Sequence, residues 1–221
     1  MIRHLIFDLD GTLADTVLAT VPAMAKAAPR HGLPPLPAEA VRRAVGIANP
    51  VFYHALYPAI DPARVRAFGE DVDRLEEACI RRLGEGVLFP GVRALLEALA
   101  AMGVMLHIAS TGSPAHVDAV LCSAGILPLF DDVCCGEPAK EAMVRRLVGK
   151  GEPQAWAMVG DHQKDRDAAH ANGILALGAG FGYVPIAERA QFDRVFDTPS
   201  ALVLWVVRQR GAAAGAGKAH V

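Results

Sequence analysis

The 221 residues contain no Cys-x-x-Cys pair, no His-x-His or His-Glu-x-x-His spacing, and no run of lysine or arginine. Without those spacings a zinc site is not expected, and Cys79, Cys122, Cys134 and Cys135 read as reduced thiols of a cytosolic protein, the adjacent pair as buried strand residues. Without a basic run, and with a formal charge of −2 from 22 basic and 24 acidic residues, neither nucleic acid nor an anionic membrane is an expected partner. No apolar run is long enough to span a bilayer, and a charged motif is reached by residue 8, so neither a membrane span nor a signal peptide is expected, and the location expected is cytoplasmic. There is no internal repeat.

What is present is a chain 52% hydrophobic and 21% charged, the balance of a packed globular protein. Five short apolar runs, at 2–7, 105–109, 132–135, 156–159 and 175–179, have the continuous character of strands buried on both faces. Helical patterns with clear stops separate the later runs. Val92, Leu95, Leu96, Leu99 and Met102 keep helical spacing and end at Gly103. Ser113-Pro114 supplies a cap and a first-turn proline for a helix closed by Gly125, and further helices are expected at 140–148, at 165–172 and from Thr198-Pro199 through Trp205. Alternating strand and helix predicts an α/β protein, a parallel sheet covered on both faces.

Residues 15–86 break the alternation, being helical in pattern with no strand. Asn49-Pro50 and Asp61-Pro62 start helices there, and Val65, Phe68, Val72, Leu75 and Cys79 mark one long amphipathic helix. A crossover between parallel strands needs one helix, so this segment is expected to form its own all-helical cap, hinged near 15 and 86–90. The core is then expected at 1–14 and 87–209. The Gly/Ala-rich stretch 210–221 has no core-forming residues and is expected to be disordered.

Directly after the first apolar run comes Asp8-Leu9-Asp10-Gly11-Thr12. Alternation along a strand would put Asp8 and Asp10 on one side, where a strand end in an open parallel sheet places chemistry. Two anions so close need a shared proton or cation, and carboxylate oxygens suit Mg2+. One carboxylate can then attack while the other moves a proton.

The pentad resembles the first motif of the haloacid dehalogenase (HAD) superfamily, whose Asp-x-Asp members are aspartyl phosphotransferases. Three further stretches fit that family's order. Ser110 ends the second strand in Ser110-Thr111-Gly112-Ser113, where its hydroxyl and the N–H groups of Thr111 and Gly112 suit a phosphate oxygen. Lys140 follows the third strand, although the proline that commonly follows this lysine is missing. Gly160-Asp161-His162-Gln163-Lys164-Asp165 follows the fourth and matches the Gly-Asp-x-x-x-Asp motif. Plainer readings exist: Ser110 as a helix cap, Lys140 as a solvated lysine, Asp165 as the cap of the next helix. Gly182-Tyr183 follows the last strand, as in relatives of phosphoglycolate phosphatase.

The resemblance implies a Rossmann-like core of strand order 5-4-1-2-3 with a helical cap. It implies Asp8 as nucleophile and Asp10 as general acid and base. Ser110, Thr111 and Lys140 would hold the phosphoryl group. Mg2+ would be held by Asp8, the Asp10 main-chain carbonyl and Asp161, with Asp165 positioning it. The function expected is a magnesium-dependent phosphatase acting on a small phosphorylated metabolite through an aspartyl phosphate. A phosphomutase resembling β-phosphoglucomutase and a non-catalytic phosphate-sensing or partner-binding module are the alternatives. The cap stretch 46–54 carries no Arg or Lys, which favours the phosphatase. Asn49 and His54 are expected to contact substrate, with Phe52 and Tyr53 either joining them or filling the cap's own core. Substrate identity and oligomeric state are left open.

Overall fold

A computed structural model describes residues 1–45, 47, 51–149 and 151–216, with side chains described through residue 210. Its centre is β1 (His4–Phe7), whose Leu5, Ile6 and Phe7 are wholly buried. The strand pleat sends Leu5 and Phe7 into one apolar cluster and Ile6 into the other, on the opposite face of the sheet. β2 (Met105–Ser110), β3 (Asp132–Cys135), β4 (Trp156–Gly160) and β5 (Leu175–Ala179) lie where the apolar runs predict. The order is β3-β2-β1-β4-β5-β6, all parallel, with Leu5 opposite Leu106 on one side and Ala157 on the other. The expected order therefore holds, with one strand added at the edge. That strand, β6 (Arg194–Phe196), has three residues and no apolar run to announce it.

Helices α5 (Val92–Ala101), α6 (Pro114–Ser123) and α9 (Pro199–Ala216) cover the face containing Leu5 and Phe7. Helices α7 (Lys140–Val148) and α8 (Gln163–Ala171) cover the Ile6 face through Met143, Val144, Ala168 and Ala169. Two expectations need correction. Helix α9 continues to Ala216, past the point where a disordered tail was expected, because Ala212, Ala213 and Ala214 are strong helix formers. Residues 217–221 lie outside the described residues. Cys134 and Cys135 are half-buried rather than buried, since β3 is an edge strand.

Between β1 and β2 the chain forms α1 (Val17–Ala27), α2 (Ala38–Ala44), α3 (Val51–Leu56) and α4 (Pro62–Leu83). Asp61 caps α4 by accepting from Ala63 N at 2.8 Å, and Pro62 occupies the first turn. These helices have an apolar cluster of their own around Phe68, which packs edge-on against Tyr53 and Tyr57 at 5.4 and 5.5 Å. Burying a side chain of that size contributes roughly 1.5–3 kcal/mol. Two chain segments join this cap to the core, and they are bonded to each other: Asp15 N donates to Val87 O at 2.8 Å and Phe89 N to Leu13 O at 3.0 Å.

Candidate active site

The site forms where β1, β2 and β4 end. Asp8 N donates to Val159 O at 2.9 Å, so sheet pairing fixes the backbone of Asp8 one residue beyond β1. The chain turns at Gly11 (φ +83°), and the two carboxylates, near enough for the charge of Asp10 to raise Asp8, take different partners. Gly11 is required there: a Cβ would lie 2.6 Å from Asp161 Oδ2.

Asp8 faces Lys140, the first residue of α7, whose Nζ donates to Asp8 Oδ1 at 2.5 Å and to Asp165 Oδ1 at 2.6 Å. The other oxygen of Asp165 accepts from the N–H groups of Asp161 and His162 at 3.1 and 2.9 Å, which orients it at the start of α8. Thr12 Oγ1 donates to Asp161 Oδ1 at 2.9 Å. All four charged residues are buried, so Lys140 is not the solvated lysine of the plainer reading, and Asp165 does more than cap a helix.

Two carboxylates thus share one ammonium, and a third, Asp161, lies beside them. Burial first, and then the like charge of Asp165, push the Asp8 carboxyl up to about 7, although Lys140 opposes the shift. Burial and then Asp8 raise Asp161 well above the ordinary range. Lys140 shifts upward despite its burial, because Asp165 and Asp8 hold its proton. Asp8, Asp161 and Asp165 each offer a carboxylate oxygen within 4.8 Å of the others. Hard oxygen donors with a surplus of negative charge are the donor set Mg2+ takes, so the residues fit that ion.

Asp10 faces the cap. Its Oδ1 lies 2.8 Å from His116 Nε2, in the first turn of α6, and His116 Nδ1 lies 3.8 Å from Glu76 Oε2 on α4. Glu76 also accepts from the Thr20 hydroxyl. Burial alone would raise Asp10 and lower His116. The pairing outweighs both effects, holding Asp10 below its ordinary value and pushing His116 up to about 10.

Ser110 ends β2 and is buried, and its Oγ accepts from Gly112 N at 3.0 Å. That N–H, read from the sequence as free for phosphate, is therefore engaged by the serine, while Thr111 lines the cleft. The cleft is a cavity of about 260 Å³ between core and cap. Phe52 and Tyr53 both pack in the cap's core and line the cleft, whereas His54 is not among its lining residues. All three residues lie on α3, and Phe52 and Tyr53 are its buried ones. Asn49 lies outside the described residues.

His116, Glu76 and Thr20 went unnoticed in the sequence. Two of them left a faint signal: His116 sits just past the Ser113-Pro114 helix start, and Glu76 falls four residues after Val72, inside α4's apolar stripe. Tyr183 holds the junction between cap and core. Its N–H donates to Gly11 O at 2.9 Å, its hydroxyl bonds Asp15, and its ring meets Phe89 at 5.4 Å.

Comparison with known proteins adds a family. The model of the haloacid dehalogenase-like hydrolases matches residues 2–173. A phosphoglycolate phosphatase of Haemophilus influenzae (strain 86-028NP) is 32% identical over 210 residues, 86% of this chain and 92% of that protein. One of Synechococcus elongatus is 31% identical over 208 residues, covering 91% and 95%. The crystal structure of a predicted phosphoglycolate phosphatase from Haemophilus somnus superposes with a TM-score of 0.80 at 25% identity, covering 93% of this chain and 98% of that one. A β-phosphoglucomutase from Clostridium difficile shares the fold, with a TM-score of 0.77 at 19% identity, covering 95% and 96%.

Proposed function

The chain belongs to the haloacid dehalogenase-like hydrolases and is an enzyme of their phosphatase kind, and from that premise we propose that it hydrolyses a small phosphate monoester, with magnesium, through an aspartyl phosphate on Asp8. The observation that carries this reading is the division of labour between the two carboxylates. Asp8 is buried against Lys140, while Asp10, two residues on, is turned to the cleft and held by His116.

In the first half-reaction a carboxylate oxygen of Asp8 attacks phosphorus, the bond to the alcohol oxygen breaks, and the proton held by the His116–Asp10 pair passes through Asp10 to that oxygen. In the second, Asp10 takes a proton from a water that attacks the phosphorus of the aspartyl phosphate, which releases phosphate and restores the Asp8 carboxylate. Lys140, placed at 2.5 Å from Asp8, offsets charge on the nucleophile and on the phosphoryl oxygens. Ser110 and Thr111, at the end of β2, hold the phosphoryl group. Asp8 and Asp161, with Asp165 beside them and the Asp10 carbonyl that the family resemblance adds, would hold magnesium, which would supply positive charge to offset that of the phosphoryl group. The cap excludes bulk water and contacts the alcohol.

A mutase must hold a second phosphate in the cap. Among the described residues lining the cleft there is no Arg or Lys, which favours hydrolysis. The test is magnesium-dependent hydrolysis of p-nitrophenyl phosphate by the wild-type protein and by Asp8→Asn. The proposal expects turnover in the first, abolished by chelation, and none in the second.

A further inference from the structure

The leaving-group side of the cleft has a marked charge asymmetry. From α4, Asp73, Glu76 and Glu77 all line it, spaced three and four apart and so on one face of the helix. From the core, Asp10 lines it too. The one lining residue able to carry positive charge is His116, among the described residues, and both its ring nitrogens already face carboxylates, Asp10 at 2.8 Å and Glu76 at 3.8 Å. Within the stretch 46–54, the residues outside the described set, Gly46, Ala48, Asn49 and Pro50, carry no charge. Asp73 accepts from the Tyr53 hydroxyl at 2.6 Å, a neutral donor, and Glu77 shares the exposed Arg81 at 3.1 Å.

A leaving group with a carboxylate or a second phosphate would be desolvated against this wall with no Lys or Arg among the described lining residues to receive it. One with an ammonium group would meet acceptors already in place. The carboxyls of Asp73 and Glu76 are both raised, by burial above all, and a cation beside them would relieve that cost. Resting on the phosphatase reading above, we propose that the substrate is the phosphate monoester of a small amino alcohol, its ammonium group set against Asp73, Glu76 and Glu77. This differs from the carboxylate-bearing ester in the names of the curated relatives.

Three two-carbon esters isolate the charge: phosphoethanolamine, ethyl phosphate and 2-phosphoglycolate. With magnesium, kcat/KM is expected to fall in that order, by at least tenfold between the ends. In the Asp73→Asn, Glu77→Gln double variant the ratio of phosphoethanolamine to phosphoglycolate should drop at least threefold. A ratio measured within one variant does not depend on how much of it is folded. A wild-type ranking led by phosphoglycolate or by ethyl phosphate, or a ratio unchanged in the variant, overturns the inference. If p-nitrophenyl phosphate is still hydrolysed in an Asp8-dependent way, the phosphatase reading survives that result. Absence of Asp8-dependent hydrolysis of every ester overturns both.

Discussion

His116 Nε2 stands 2.8 Å from Asp10 Oδ1, and the same imidazole faces Glu76 of the cap at 3.8 Å. One ring therefore holds the proposed acid and touches the helix that closes over it. His116→Leu is expected to lower kcat more than tenfold for alkyl phosphates, where acid help matters, with a smaller loss for p-nitrophenyl phosphate. Equal losses on both classes would show that the ring does not act through Asp10.

The same pair predicts a pH dependence of stability. His116 has its folded pKa raised from 6.5 to about 10, so the stability it contributes is present below 6.5 and is lost as pH rises through about 10. The gap in melting temperature between wild type and His116→Leu should shrink between those limits. A constant gap would mean the ring is neutral in the folded protein.

Asp8 gives the opposite case to an ordinary ion-paired carboxylate. Its folded pKa is raised from 3.8 to about 7, so in the absence of metal its contribution favours the folded state at acid pH and is lost as pH rises through that window. Thermal scans in chelator should show stability falling from about pH 4 to about pH 7, with added magnesium restoring more at the upper end than at the lower. A magnesium effect equal at both ends would place the ion away from these carboxylates.

Lys140→Met should be the most damaging single change to folding in the site. It leaves Asp8 and Asp165 buried without their cation, a loss of about 3–5 kcal/mol for breaking a buried pair. Urea titration measures it, and a change below 1 kcal/mol would show that the cluster is neutralised in another way.

Much of this was legible in the sequence. The strands of the core are continuous apolar runs because they are buried on both faces, and each motif stands where a strand ends. β6 was not legible, since three residues at a sheet edge make no periodic signal. The partners of Asp10 were not legible either. His116 is 106 residues away in the chain and only the fold joins them, and a single histidine carries no spacing to read. Chemical type alone pointed to His54, which does not line the cleft, and left open the role of Phe52 and Tyr53, which do.

The central claim is that Asp8 becomes phosphorylated. Acid-quenching the Asp10→Asn variant during turnover of p-nitrophenyl phosphate, whose leaving group needs little acid help while loss of the base should slow dephosphorylation, then reducing with borohydride and mapping peptides by mass, tests it directly. The account predicts that residue 8 alone is converted to homoserine, the reduction product of an acyl phosphate, and that no such product forms in Asp8→Asn. Turnover without modification of residue 8, or a phosphoryl group trapped on another side chain, would contradict it.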